Sequence, residues 1–314
     1  MGGNDAVQPQ AAWRDLSSQG RLRATGEDRE RLIHAICSNS VEGLRSGLGT
    51  YAFFLNPQGR IQSDSRIFVD RGRLLIHCEP EAATLLREHI ESYIIMDDVT
   101  LEDIADRTAL LAVFGPGAGR VVRELGASPP ERALAFSCAD GLCCFSAPAP
   151  GVDYWLMLPS PMKPGMRADL ERLGARPVSE AEWEAHRVAH WVPRFGADFN
   201  SGNIPHETRQ FNAVSFVKGC YTGQEIVERV RSRGRVRREL VGIELAAAGI
   251  PDDLTVRYQG KAVGTLTSPT PAAPPGGNAS GFAIVRTIAS KPGTAVRVGE
   301  ISGRVRDVTR NGGS

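Results

Sequence analysis

The 314-residue chain carries 37 Lys+Arg against 36 Asp+Glu, a net charge of +1, with 41% hydrophobic and 23% charged residues. That is ordinary globular composition with apolar material for about two domains, and near-neutrality gives no bulk attraction to nucleic acid or to a membrane surface, so neither is an expected partner. No apolar run reaches the ~18 residues of a spanning helix, and the N-terminus has no basic region leading into an apolar stretch, so the expected location is cytoplasmic.

Residues 1–17 are polar and are expected to be a frayed, disordered N-terminus. Arg21–Asn39 reads as a short strand, a Thr-Gly break and a helix capped by Asp28, with Leu32, Ile33, Ile36 and Cys37 as its apolar stripe. Thr50–Glu79 reads as three strands joined by turns at Asn56-Pro57-Gln58-Gly59 and Asp70-Arg71-Gly72. Asp64 ends the short strand after the first turn. It is either part of a solvated hairpin or a carboxylate aimed into a cleft. Pro80–Ile95 reads as an amphipathic helix, and two further strands follow. The Gly115–Gly119 run lacks the Lys-Ser/Thr of a phosphate loop and does not fit a dinucleotide fingerprint, so it reads as a strand-to-helix turn.

Residues 151–159 read as a strand and 162–174 as a helix. Ser179–Gly196 reads as a second helix, with Ser179 and Glu182 as its capping box. Strands and helices thus alternate twice, an α+β pattern with a hint of two related halves. After Arg238, short apolar runs punctuated by Gly, Pro and Asp predict a small β-barrel or sandwich.

The six cysteines (37, 78, 138, 143, 144 and 220) are irregularly spaced with no CxxC pair, and read as reduced thiols. Cys138, Cys143 and Cys144 fall in two apolar strands around an Asp-Gly turn, as small hydrophobes. His186 and His190 are one helical turn apart, but HRVAH lacks the glutamate of the zinc-protease motif, so packing or surface roles are expected and no metal site.

Two stretches remain that could carry chemistry. Arg229–Arg238 holds six arginines in ten residues, five of them sharing one strand face: a solvated edge strand, or a site for acidic partners. Lys218–Arg229, KGCYTGQEIVER, sets Cys220 between glycines and close to Lys218, a context that favours a thiolate. The same residues also read as a helix starting at Thr222 with Glu225 closing a capping box, which would leave Cys220 merely preceding it.

KGCYTGQEIVERV resembles the signature of the YgfZ/IBA57-type folate-binding proteins, relatives of the glycine-cleavage T-protein (GcvT, an aminomethyltransferase). RLRATGEDRERLIHAICSN, LNPQGRIQSD, HRVAHWVPRFGADFNSGNIPHE and GKAVGTLTS resemble further family segments, so the likeness spans roughly residues 20–310. It implies two interleaved α+β domains around a central channel over residues 18–235, and a C-terminal β-barrel over 236–314. It implies tetrahydrofolate in the channel, a task in iron–sulfur cluster assembly or repair with assembly or client proteins as partners, and a monomer.

Carried over residue by residue, Cys220 is the functional thiol, flanked by Lys218, Gly219, Tyr221, Gly223, Gln224 and Glu225. Asp64 stands where T-proteins keep a catalytic aspartate, and Arg187 where they bind folate; Glu207 is expected in a loop bordering the channel. A single thiol could hold a cluster only transiently, shared with a partner. Ala189 replaces the acidic residue that follows the T-protein arginine by two positions, which weighs against aminomethyl transfer. The retained Asp64 keeps a folate-dependent aminomethyl- or methyltransferase open as the alternative.

Overall fold

The structure is a computed structural model that describes residues 11–146, 154–272 and 277–309. In chain order the elements are β1 (Ala11–Asp15), β2 (Gly20–Thr25), α1 (Arg29–Ile36), β3 (Leu48–Leu55), β4 (Ile61–Asp70), β5 (Arg73–Cys78), α2 (Ala83–Glu91), β6 (Thr100–Asp103), β7 (Thr108–Phe114), α3 (Ala118–Glu124), β8 (Phe136–Ala139), β9 (Leu142–Ser146), β10 (Tyr154–Pro159), α4 (Lys163–Arg172), β11 (Ala175–Pro177), α5 (Glu180–Ala189), α6 (Pro205–Thr208) and α7 (Gln224–Arg233). The barrel strands are β12 (Arg238–Leu245), β13 (Thr255–Tyr258), β14 (Lys261–Thr270), β15 (Ser280–Arg286), β16 (Ala295–Val298) and β17 (Ile301–Arg306).

Two sheets are interleaved along the chain. The five-stranded sheet runs β3-β4-β5-β2-β6 and the six-stranded sheet β11-β1-β7-β10-β9-β8. The chain therefore opens in the second sheet, crosses to build the first, and returns. Phe68 and Leu75 of one sheet meet Leu110, Phe145, Trp155 and Met157 of the other in a shared core. The apolar stripes of α1 and α2 cover the outer face of the five-stranded sheet, and those of α3 and α4 cover the six-stranded one. The last six strands close as a barrel, β12-β15-β14-β13-β16-β17, around a core of its own; closure leaves no unpaired edge.

Several sequence expectations are corrected. Residues 11–17 are not frayed: β1 is hydrogen-bonded on both sides, to β11 and β7, and Trp13 is buried. Residues 1–10 lie outside those described. The helix expected through Gly196 ends at Ala189, where Trp191 takes a left-handed conformation (φ 51°) two residues before Pro193; its Ser179/Glu182 capping box is present. Asp64 lies inside the ten-residue β4 rather than at the end of a short strand.

The cysteines are not all reduced. Cys138 and Cys143 face each other across the β8–β9 hairpin and form a disulfide. The predicted Asp140-Gly141 turn, with both residues at positive φ, brings them opposite. The arginine run is not a strand. Its first part continues α7 to Arg233, because Ile226, Val227 and Val230 give that stretch a helical apolar face.

Candidate functional site

Strand periodicity builds the site's wall. Phe53 pairs with Asp64 and Tyr51 with Arg66 between β3 and β4, while Arg66 pairs with His77 and Ser65 with Cys78 between β4 and β5. The last pairing places Glu79, just past β5, opposite Asp64. Tyr51, Asp64, Arg66, His77 and Glu79 thus share one face of the sheet. A cleft of about 120 Å³, open to solvent, is lined there by Gln19, Arg66, Glu79, Trp155, Trp183 and Arg194, among others.

This wall is polar and incompletely paired, with Asp64 beside it rather than among the residues that line the cleft. Asp64 is 3% exposed; its Oδ2 accepts from the Tyr51 hydroxyl at 2.8 Å, and its Oδ1 has no partner. Arg66 is 7% exposed and has no hydrogen bond or ion pair among the described residues; its guanidinium lies 4.6 Å from the Trp155 ring centroid. Gln19 Oε1 and Trp155 Nε1 are likewise buried without partners. Native interiors rarely leave polar atoms unpaired, and a group of them on one cleft wall marks where a polar ligand would supply the missing bonds.

Burial raises the Asp64 carboxyl, against the pull of nearby Arg66. Glu79 is pushed up to about 7 by burial and by the charge of Asp64, opposed by Arg66 and Arg194. His77 is pushed down to about 3 by burial and by Arg21 and Arg66, and stays neutral among Phe68, Phe145 and Trp155.

Arg187 lines the same cleft from α5. Its Nη1 donates to Asp198 Oδ2 (2.7 Å) and to the Val192 carbonyl (2.6 Å), its Nη2 to Glu184 (2.6 Å) and Ser268 Oγ (2.6 Å), and its Nε to Glu184 (3.3 Å). All five N–H groups are engaged. Asp198 also accepts from Thr267 and Ser268 of β14, so the pair ties α5 to the barrel. Glu207, on α6, receives Asn203 Nδ2 (2.9 Å) and Arg238 Nε (2.9 Å), a second tie to the barrel; it is not among the cleft-lining residues.

The Cys220 loop is built separately. Cys220 is exposed and does not line the cleft. Lys218 turns away from it: its Nζ donates to the carbonyls of His34, Cys37 (2.7 Å) and Asn39 (3.1 Å), at the C-terminal end of α1. There a cation satisfies otherwise open carbonyls and complements the helix dipole. Tyr221 is buried beneath the loop, and Thr222 N donates to the Ala35 carbonyl.

The expected Thr222–Glu225 capping box is absent. Gly223 is the N-cap at φ 79°, and Glu225 pairs with Arg229 one helical turn on. A Cβ on Gly223 would sit 2.7 Å from the Asn56 carbonyl, and one on Gly59 would sit 2.8 Å from Ile226 Cβ. The Asn56–Gly59 turn and the start of α7 therefore pack backbone to backbone, and glycine is required on both sides. Gln224 N donates to the Tyr221 carbonyl, and Gly219 stands in open space.

Sequence reasoning reached Asp64 and Arg187 but missed Gln19, Arg66, Glu79, Trp155 and Arg194. A signal for two of them was present: Asp64 and Arg66 have the same parity in one strand, and the next strand ends in His77-Cys78 with Glu79 immediately after it. Trp155 comes from the other sheet and Arg194 from the loop after α5, so only the fold brings them in.

Residues 4–139 match the GCVT N-terminal domain family. The chain is 27% identical over 315 residues to a chloroplastic protein of Arabidopsis thaliana named as a transferase (94% of this chain, 70% of the relative). It is 27% identical over 244 residues to the tRNA-modifying protein YgfZ of Hamiltonella defensa (76% and 71%). It is 25% identical over 271 residues to the mitochondrial iron–sulfur cluster assembly factor IBA57 homolog of Mycosarcoma maydis (80% and 62%). The fold is that of the glycine cleavage system aminomethyltransferase T of Bartonella henselae, with a TM-score of 0.85 over 96% of this chain and 86% of that one, at 17% identity. Motif, domain match, relatives and fold together support a YgfZ/IBA57-type member of the GcvT superfamily.

Proposed function

We propose that this protein is a tetrahydrofolate-binding accessory factor for iron–sulfur proteins, with Cys220 as its working thiol. The observation that carries the reading is the unpaired polar wall of the cleft. A reduced pterin carries N–H donors and ring acceptors on a flat frame, which suits Asp64, Glu79 and Gln19 as acceptors and Arg66 as donor, beside Trp155 and Trp183. Arg187 shapes that wall through Glu184, while Glu207 holds the neighbouring loop.

Cys220 is presented to solvent on a braced loop, as exchange with a partner protein requires. Among the described residues no group of three His, Cys, Asp or Glu side chains could hold a metal ion, so a cluster would be cargo shared with a partner. Lys218, Tyr221 and Gly223 set the loop's shape, while Gly219, Gln224 and Glu225 border the thiol in sequence. The named tasks of the relatives, cluster assembly and tRNA modification, are compatible with one protein serving iron–sulfur enzymes. A cytoplasmic monomer fits this reading.

The second reading, a folate-dependent aminomethyl- or methyltransferase, is favoured by Asp64. It is a buried carboxylate beside the cleft, and aminomethyltransferases are among the relatives (27% identity over 325 residues in Shouchella clausii). Calorimetric titration with tetrahydrofolate tests both, repeated on Cys220→Ser and Asp64→Ala. The main reading expects binding to survive the first change and fail in the second. It also expects iron–sulfur enzyme activities to fall in cells carrying only Cys220→Ala; unchanged activities there sink it. Turnover of a folate with an amine substrate, lost in Asp64→Asn, would establish the transferase instead.

A further inference from the structure

The Asp64–Glu79 pair goes beyond the folate reading just given, on which this inference rests. Glu79 directly follows Cys78, which pairs with Ser65, so it lies next to Asp64 and feels its charge; both are buried, Asp64 3% and Glu79 7% exposed. Their surroundings do not neutralise both. Arg66 from β4 forms no ion pair among the described residues, Arg194 Nη1 stands 3.9 Å from Glu79 and closer to Glu81 (3.3 Å), and Arg187 is engaged by Asp198 and Glu184. His77 beside them is neutral, and the Tyr51 hydroxyl serves Asp64 alone.

Glu79 lines the cleft, and its nearest neutral donor is Gln19 Nε2 at 3.5 Å, a weak contact.

We infer that Glu79 is the site's second ligand-binding carboxylate, that it and Asp64 hold a single proton between them in the empty cleft, and that a ligand presenting N–H donors expels it. Such a ligand hydrogen-bonds best to ionised carboxylates. Its arrival moves the shared proton to solvent, one proton out for one ligand in, with no other bond changed. Gln19, with its unpartnered Oε1, accepts a further ligand N–H beside Glu79.

Calorimetry of the full chain tests this, with 5-formyltetrahydrofolate as the probe, in pairs of buffers with different ionisation enthalpies. With half-ionisation of Glu79 near 7, release is expected to be about half a proton per ligand at pH 7, nearly one at pH 6 and nearly none at pH 8.5. Affinity should fall about tenfold per pH unit below about 6.5.

In Glu79→Gln, release should vanish and affinity should become pH-independent. In Asp64→Asn, the release should move to lower pH. The wild-type proton count needs no variant to fold. Binding without proton exchange at all three pH values, or unchanged release in Glu79→Gln, overturns the inference and leaves the folate reading standing. No binding at any pH overturns that reading and this inference with it.

Discussion

The ammonium of Lys218 lies 2.7 Å from the carbonyl oxygen of Cys37, not against the thiol of Cys220. The lysine next to the motif cysteine is thus a brace for the loop, pinned to the end of α1. Lys218→Met is expected to leave those carbonyls without their donor and cost about 2 kcal/mol in urea unfolding. The rate of Cys220 alkylation by iodoacetamide should change less than about threefold, since no cation is taken from the sulfur. Unchanged stability with a tenfold slower alkylation would instead put the lysine to work on the thiol.

Glu79 makes the empty protein's stability fall with pH. Its folded value, about 7, lies above the ordinary 4.5, so the unfolded chain gives up its proton first and ionisation penalises the folded state. Stability should decline as pH climbs from about 4.5 to 7, by about 3 kcal/mol, and be flat above that. Urea unfolding at pH 5, 6, 7 and 8 measures it. Glu79→Gln should lose most of the slope and be the more stable protein at pH 8; Asp64, also raised by burial, leaves a residue of the same sign.

Arg66 is buried with no hydrogen bond or ion pair among the described residues, so its removal separates ligand binding from folding. Arg66→Met keeps the apolar stem over Trp155 and removes only the charge. Ligand affinity is expected to fall ten- to a hundredfold, about 1.4–3 kcal/mol for a lost charged hydrogen bond. The thermal midpoint should change little, because the guanidinium makes no hydrogen bond among the described residues and acts on Asp64 and Glu79 through its charge alone. A fall in midpoint with unaltered affinity would make Arg66 structural.

What was legible in the sequence followed local chemistry. The Ser179 capping box, the Asp140-Gly141 hairpin and the barrel's short strands all carry signals within a few residues, and all are present. Contacts set by long-range packing were not legible. Residues 11–17 look like a polar tail until β7 and β11 flank them. The α7 cap reads as Thr222 with Glu225 until the close approach of Asn56 forces glycine into that position. In the cleft, Asp64 was visible as a residue type, whereas its opposition to Glu79 depends on the β4–β5 register.

That close approach has a consequence for Cys220. Gly223→Ala places a methyl 2.7 Å from the Asn56 carbonyl at a φ of 79°. Strain and clash together should cost about 2 kcal/mol or more. Hydrogen exchange should quicken at residues 56–60 and 218–224, with the barrel strands unaffected. Uniform quickening across the molecule would mean that the turn and loop are not a local unit.

Arg187 and Asp198 are the last test, because the family resemblance assigns the arginine to ligand while its bonds assign it to the seam. Arg187 is 7% exposed with every N–H engaged, and the Asp198 side chain is fully buried. Arg187→Met leaves Asp198 with the Thr267 and Ser268 hydroxyls and the Arg194 backbone N–H but no charge to balance it. Breaking a buried pair in this way costs about 3–5 kcal/mol, whereas replacing both members by apolar residues of similar volume is often near neutral. Arg187→Met should therefore unfold at markedly lower urea, and the double variant Arg187→Met/Asp198→Leu should recover much of the loss. Should Arg187→Met keep its stability and lose only ligand affinity, the guanidinium would belong to the ligand, and the seam would be held by the β14 hydroxyls on Asp198 and by the Glu207–Arg238 pair.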